Sequence, residues 1–73
     1  MSRTFSTIPL TALGHQFLRA KVNLLKQHQR WLAERMREAW LNNDARNWSL
    51  IRDELALVEN RIRELEAAIA EGT

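Results

Sequence analysis

Apolar residues recur along this chain at alternating steps of three and four. Trp48, Ile51, Leu55, Val58, Ile62, Leu65 and Ile69 form a strict heptad seam in the second half. Leu18, Val22, Leu25, Gln29, Leu32, Met36 and Ala39 repeat the pattern in reverse order in the first half. An alternation of three and four keeps side chains on one stripe of a helix, so each half predicts an α-helix with a single coiled-coil-like seam. Pairing from the outside inward sets Leu18 against Ile69, Val22 against Leu65, Leu25 against Ile62 and Gln29 against Val58. Leu32 then meets Leu55, Met36 meets Ile51 and Ala39 meets Trp48. All these pairs share one centre between residues 43 and 44, which predicts two helices folded back on each other as an antiparallel hairpin.

The centre falls inside "WLNNDARNW", residues 40 to 48. Asn42, Asn43 and Asp44 carry short polar side chains that bond to nearby backbone, as turns and helix N-caps require. Asp44 is therefore read as the N-cap of the second helix. Pro9 and Gly14 lie near the start and Gly72 next to the end, and between them the chain is rich in good helix formers. Thr11 is a reasonable N-cap for the first helix. The opening "MSRTFSTIP" has neither helical period nor helical propensity and reads as a flexible arm. The expected fold is all-α: an arm over residues 1–10, then an antiparallel two-helix hairpin over 11–73 with its tip near 42–47. Each arm of the hairpin would be about 28 residues, roughly 40 Å, long.

Composition narrows the function classes. A chain of 73 residues has little apolar material for both a core and an enclosed cleft, so an enzyme is not expected. It has no cysteine, and His15 and His28 are too far apart to share one helical turn, so neither a metal site nor a cofactor is expected. No apolar run is long enough for a signal peptide or a membrane span, so the expectation is a soluble, cytoplasmic protein without membrane contact or small-molecule substrate. Charge is divided between the arms. Residues 1–41 carry seven Arg or Lys and two Glu, whereas residues 42–73 carry four Arg and seven Asp or Glu. The arms attract, though each exposed pair adds little.

Three surfaces remain as candidates for partner binding. Leu13, Phe17, Ala20, Leu24 and Trp31 form a second apolar strip beside the first-helix seam, which the other arm cannot fully cover. Phe5 and Ile8 of the arm could fold over it, two copies could dimerise there, or another protein could dock on it. On the opposite side, Arg19, Lys26, Arg30 and Arg37 fall within about 40° of one another on a helical wheel. Nine of the eleven basic residues are Arg, which binds carboxylates and phosphates bidentately. The row suits an acidic protein surface or local contact with RNA or DNA, while a net charge of +2 argues against general nucleic-acid coating. Trp40 and Trp48 mark the tip end. Gln29 facing Val58 is the one polar layer and reads as slightly loose and solvated.

The stretch "IPLTALGHQFLRAKVNLLK" resembles the opening of the bacterial Gre transcript-cleavage factors, through Pro9, Thr11, Gly14, Leu18, Val22, Leu25 and Lys26. "RIRELEA", Arg61 to Ala67, is similar to the return helix of their coiled coil. That resemblance implies an antiparallel hairpin and a place on multisubunit RNA polymerase. The chain departs from the family at the tip. Gre factors present two acidic residues there to help hold a catalytic metal, whereas here Asp44 can fill the first position and the tip offers only Asn47 for the second, and these 73 residues do not include a counterpart of the second globular domain of Gre factors. Transcript cleavage is not expected, and no catalytic residue is assigned. In size, composition and cysteine-free helical character, the whole chain also resembles the small phage-encoded regulators that bind host RNA polymerase, of the type found in phages of Xanthomonas. This resemblance implies binding to the β and β′ subunits, inhibition of initiation by loss of the σ factor, and antitermination during elongation. The alternatives are a self-associating four-helix-bundle dimer and a small nucleic-acid-binding protein.

Overall fold

In a computed structural model, residues 10–71 are described, with side-chain environments from Gly14 to Glu71. Phe5, Ile8 and residues 1–9 of the expected arm lie outside the described residues, as does the side chain of Leu13; Leu10, the last residue of the expected arm, belongs to the first helix. Helix α1 runs over Leu10–Leu41 and helix α2 over Ala45–Glu71. Of the described residues, only Asn42, Asn43 and Asp44 are not helical. The two helices pack against each other as the antiparallel all-α hairpin that the seam predicts. The first helix begins one residue before Thr11, so Thr11 lies within α1 rather than capping it.

Every position of the predicted seam is buried or half-buried. Val22, Leu32, Ala39, Val58, Ile62 and Leu65 are buried, and Leu32 is the most enclosed at 2% exposure. Leu18, Leu25, Ile51, Leu55 and Ile69 pack around this core. Full burial of a Leu or Ile side chain stabilises by about 1.5–3 kcal/mol, so one continuous line of such residues holds the arms together. Two contacts fix the register. Lys26 Nζ lies 3.0 Å from Glu66 Oε2, and His28 Nε2 lies 3.4 Å from Glu54 Oε2. Their midpoints are displaced equally, in opposite directions, from the centre between residues 43 and 44. That is how pairs on opposite flanks of one antiparallel seam must behave.

The polar layer is better satisfied than the sequence suggests. Gln29 Nε2 donates to Glu59 Oε2 at 3.2 Å in a part-buried position, so the amide has a partner across the seam. Polar residues at core coiled-coil positions set register at a cost in stability. Gln29→Leu is expected to raise hairpin stability by about 1 kcal/mol, measured as a higher urea midpoint.

The turn is closed by hydrogen bonds. The Asn43 N–H donates to the Trp40 carbonyl at 3.1 Å, and the Asp44 N–H donates to the Ala39 carbonyl at 2.8 Å. Asn43 has φ of 57°. A left-handed residue bracketed by these two bonds is the Schellman ending of a helix, in which Asn is the usual substitute for Gly. Asn43→Val, which cannot enter this conformation cheaply, is expected to cost about 1–2 kcal/mol. Asn43→Gly should cost nothing, and urea denaturation of the pair would separate backbone strain from loss of the amide.

Candidate partner-binding surface

The contact between His28 and Glu54 organises one flank of the hairpin. Residues three and four positions apart lie together on a helix surface. Leu24 and Trp31 therefore flank His28 on α1, and Leu50 and Leu57 flank Glu54 on α2 in the same relation. Phe17 continues the row two turns before Leu24. All five are largely exposed, from 55% for Trp31 to 69% for Leu57. The result is an apolar face built from both helices, crossed in its middle by an imidazole and a carboxylate. Trp31 is held in place there. Its ring stacks on His28 with centroids 5.8 Å apart and planes at 14°, and the Arg35 guanidinium lies 5.4 Å from the indole centroid. A side chain ordered before binding loses less entropy when a partner covers it, which favours such an aromatic as an anchor.

The expectation that the second arm leaves the α1 strip uncovered holds for Phe17, Ala20, Leu24 and Trp31, all exposed. The strip is not confined to α1, however. Leu50 and Leu57 extend it across α2, and the sequence reading missed them. Their seven-residue spacing matches that of Leu24 and Trp31, but spacing within α2 cannot say which flank of α1 they join.

The other flank is charged. Lys26 reaches across the seam to Glu66, which takes it out of the free cationic row proposed from the helical wheel. Arg19, Arg30 and Arg37 are exposed and make no ion pair among the described residues. The row thus lies beside the seam, close enough for its lysine to be neutralised by the acidic arm. Arg19 and Glu66, with Val22, Asn23 and Ile69, line an open recess there. The charge asymmetry of the two halves, noted in the sequence, produces this pairing.

At the tip, Asp44 caps α2. Its Oδ1 accepts the Asn47 N–H at 3.3 Å and its Oδ2 accepts the Asn47 side-chain amide at 2.8 Å. The Trp48 N–H donates to the Asp44 carbonyl at 2.9 Å and starts the helix. Asn47 thus donates to Asp44 through both its backbone N–H and its side-chain amide. Among the described residues no group of three His, Asp or Glu is placed to hold a metal ion. Trp40 and Trp48 meet across the turn with centroids 6.1 Å apart and planes at 54°. Trp48 is half-buried as the last seam layer, whereas Trp40 is 68% exposed. With Ala39, Asn43, Asp44 and Ala45 they line a recess of about 260 Å³.

No described helix is long and apolar enough to cross a membrane. Compared with known protein families, curated proteins and solved structures, the chain matches none of them.

Proposed function

We propose that this protein is a phage-encoded, non-enzymatic transcription regulator that acts in the cytoplasm of the host bacterium. On this reading it docks on host RNA polymerase through the β and β′ subunits, inhibits initiation by promoting loss of σ, and acts as an antiterminator during elongation. One observation carries the protein-docking part of the proposal. Five large apolar side chains, Phe17, Leu24, Trp31, Leu50 and Leu57, stand exposed on one flank of the hairpin. An apolar face that includes aromatic side chains is how a small body binds a much larger one, because a few buried anchors supply most of the energy of such an interface. The choice of polymerase comes from the sequence resemblances and from the hairpin form that they imply. Arg19, Arg30 and Arg37 on the opposite flank remain available to acidic protein surfaces or to nucleic acid in the transcription complex.

Gel filtration of the purified protein with core polymerase, and separately with σ-containing holoenzyme, tests the reading. Co-elution with both, and release of σ once promoter DNA is added, is the expected result. Absence of co-elution, with a dimeric mass for the protein alone, would replace the proposal with a self-associating bundle built on the same apolar face. Salt-sensitive binding to RNA or DNA without polymerase would replace it with nucleic-acid binding.

A further inference from the structure

Each of the three tryptophans in this chain is followed four residues later by a charged side chain. Trp31 is followed by Arg35, Trp48 by Arg52 and Trp40 by Asp44. Positions four apart on a helix are neighbours, and the first two pairs behave accordingly. The Arg35 guanidinium lies 5.4 Å from the Trp31 ring centroid, and the Arg52 guanidinium lies 5.1 Å from that of Trp48. Trp40 is the exception. Among the described residues no Arg or Lys lies over its ring, and where an arginine would be expected the chain supplies a carboxylate. The helix ends between Trp40 and Asp44, and the left-handed Asn43 turns the chain so that both residues border the same recess.

We propose that the tip recess formed by Trp40, Trp48 and Asp44 binds a cationic side chain, Arg or Lys, of a protein partner. The exposed Trp40 indole, which no Arg or Lys covers among the described residues, attracts a cation, and Asp44, which lines the same recess, supplies a counter-charge. Asn47 donates two hydrogen bonds to that carboxylate. Two ionised oxygens offer about four acceptor sites, so capacity for an incoming donor remains. The recess, about 260 Å³, is open at the surface, as a site for a partner's side chain must be. The assignment does not depend on polymerase being the partner.

The test uses the full chain, whose three indole N–H groups give separate readouts in a proton–nitrogen correlation spectrum. Nα-acetyl-arginine amide is the probe, with the neutral citrulline analogue and adenosine monophosphate as comparators. Titration with the arginine probe is expected to shift the Trp40 and Trp48 indoles saturably and to leave Trp31 in place. The citrulline analogue is expected to bind about fivefold more weakly. Asp44→Asn keeps an N-cap residue of equal quality, so the hairpin stays folded, and it is expected to weaken the arginine probe about three- to fivefold. Trp40→Leu is expected to weaken it by about fivefold. Equal binding of arginine and citrulline probes, an unchanged affinity in Asp44→Asn, or tighter binding of the nucleotide than of the arginine probe would each overturn the proposal.

Discussion

Leu32→Ala is expected to leave the hairpin largely unfolded at 25 °C. Leu32 is the most enclosed residue of the core and sits in the middle of the seam. Truncating a buried leucine to alanine costs about 2–5 kcal/mol, from lost burial and from the cavity left behind. A two-helix hairpin has no second layer that could collapse into that cavity, which puts the cost at the upper part of the range. The stability of a small single-core domain is itself only about 3–5 kcal/mol. Far-ultraviolet circular dichroism of the variant should therefore show most of the helical signal lost, because helices held by tertiary packing do not persist well alone in water. Leu32→Met, which conserves volume, should cost less than about 1.5 kcal/mol and keep the fold. A Leu32→Ala protein with native helicity and a cooperative melt would show that the seam is not what holds the arms together.

The largest effect on function is expected from Phe17→Ala combined with Trp31→Ala. Both side chains are exposed on the apolar flank, so their removal takes little from the core, and surface changes of this kind usually move stability by under about 0.5 kcal/mol. Trp31 also carries the contacts to His28 and Arg35, and an exposed cation–π contact adds about 0.5–1 kcal/mol. The double variant should thus stay helical. Anchor residues at protein interfaces contribute about 2 kcal/mol or more each, which is roughly a 30-fold loss of affinity per anchor. Polymerase binding, measured by competition in gel filtration or by fluorescence anisotropy, should fall beyond detection at micromolar concentrations. Replacing Arg19, Arg30 and Arg37 by Gln should weaken binding less and mainly at low salt, because exposed charges act at a range set by screening. Unchanged binding in the Phe17/Trp31 variant would place the docking surface elsewhere.

Much of this architecture is legible in the residue order, and the reasons are local. Apolar steps of three and four mark a helical stripe whatever it packs against, and Asn42, Asn43 and Asp44 have the side chains that end one helix and begin another. Asp44 as the cap of α2 follows from its place before the second periodic segment, and the bond from Asn47 realises it. The start of α1 departs from its cap signal: Thr11 has a side chain suited to an N-cap, yet it lies inside a helix that begins at Leu10. Gln29 showed as a polar interruption of the seam, but its bond to Glu59 did not. A flanking position on the opposite helix becomes a partner only when the register and the direction of the side chain are both known.

The same limit governs the surfaces. Period and turn chemistry settle the number of helices, the place of the turn and the residues of the seam, because each depends on neighbours within a turn or two of the chain. Which flank a residue joins depends on the handedness of both helices and on the register between them. Only the folded hairpin puts Leu50 and Leu57 beside Leu24 and Trp31, through the contact of His28 with Glu54. It likewise draws Lys26 to Glu66, and it turns Asp44 toward Trp40 through one left-handed residue. Each of these is a relation between side chains carried by different segments, and geometry in three dimensions is what creates it.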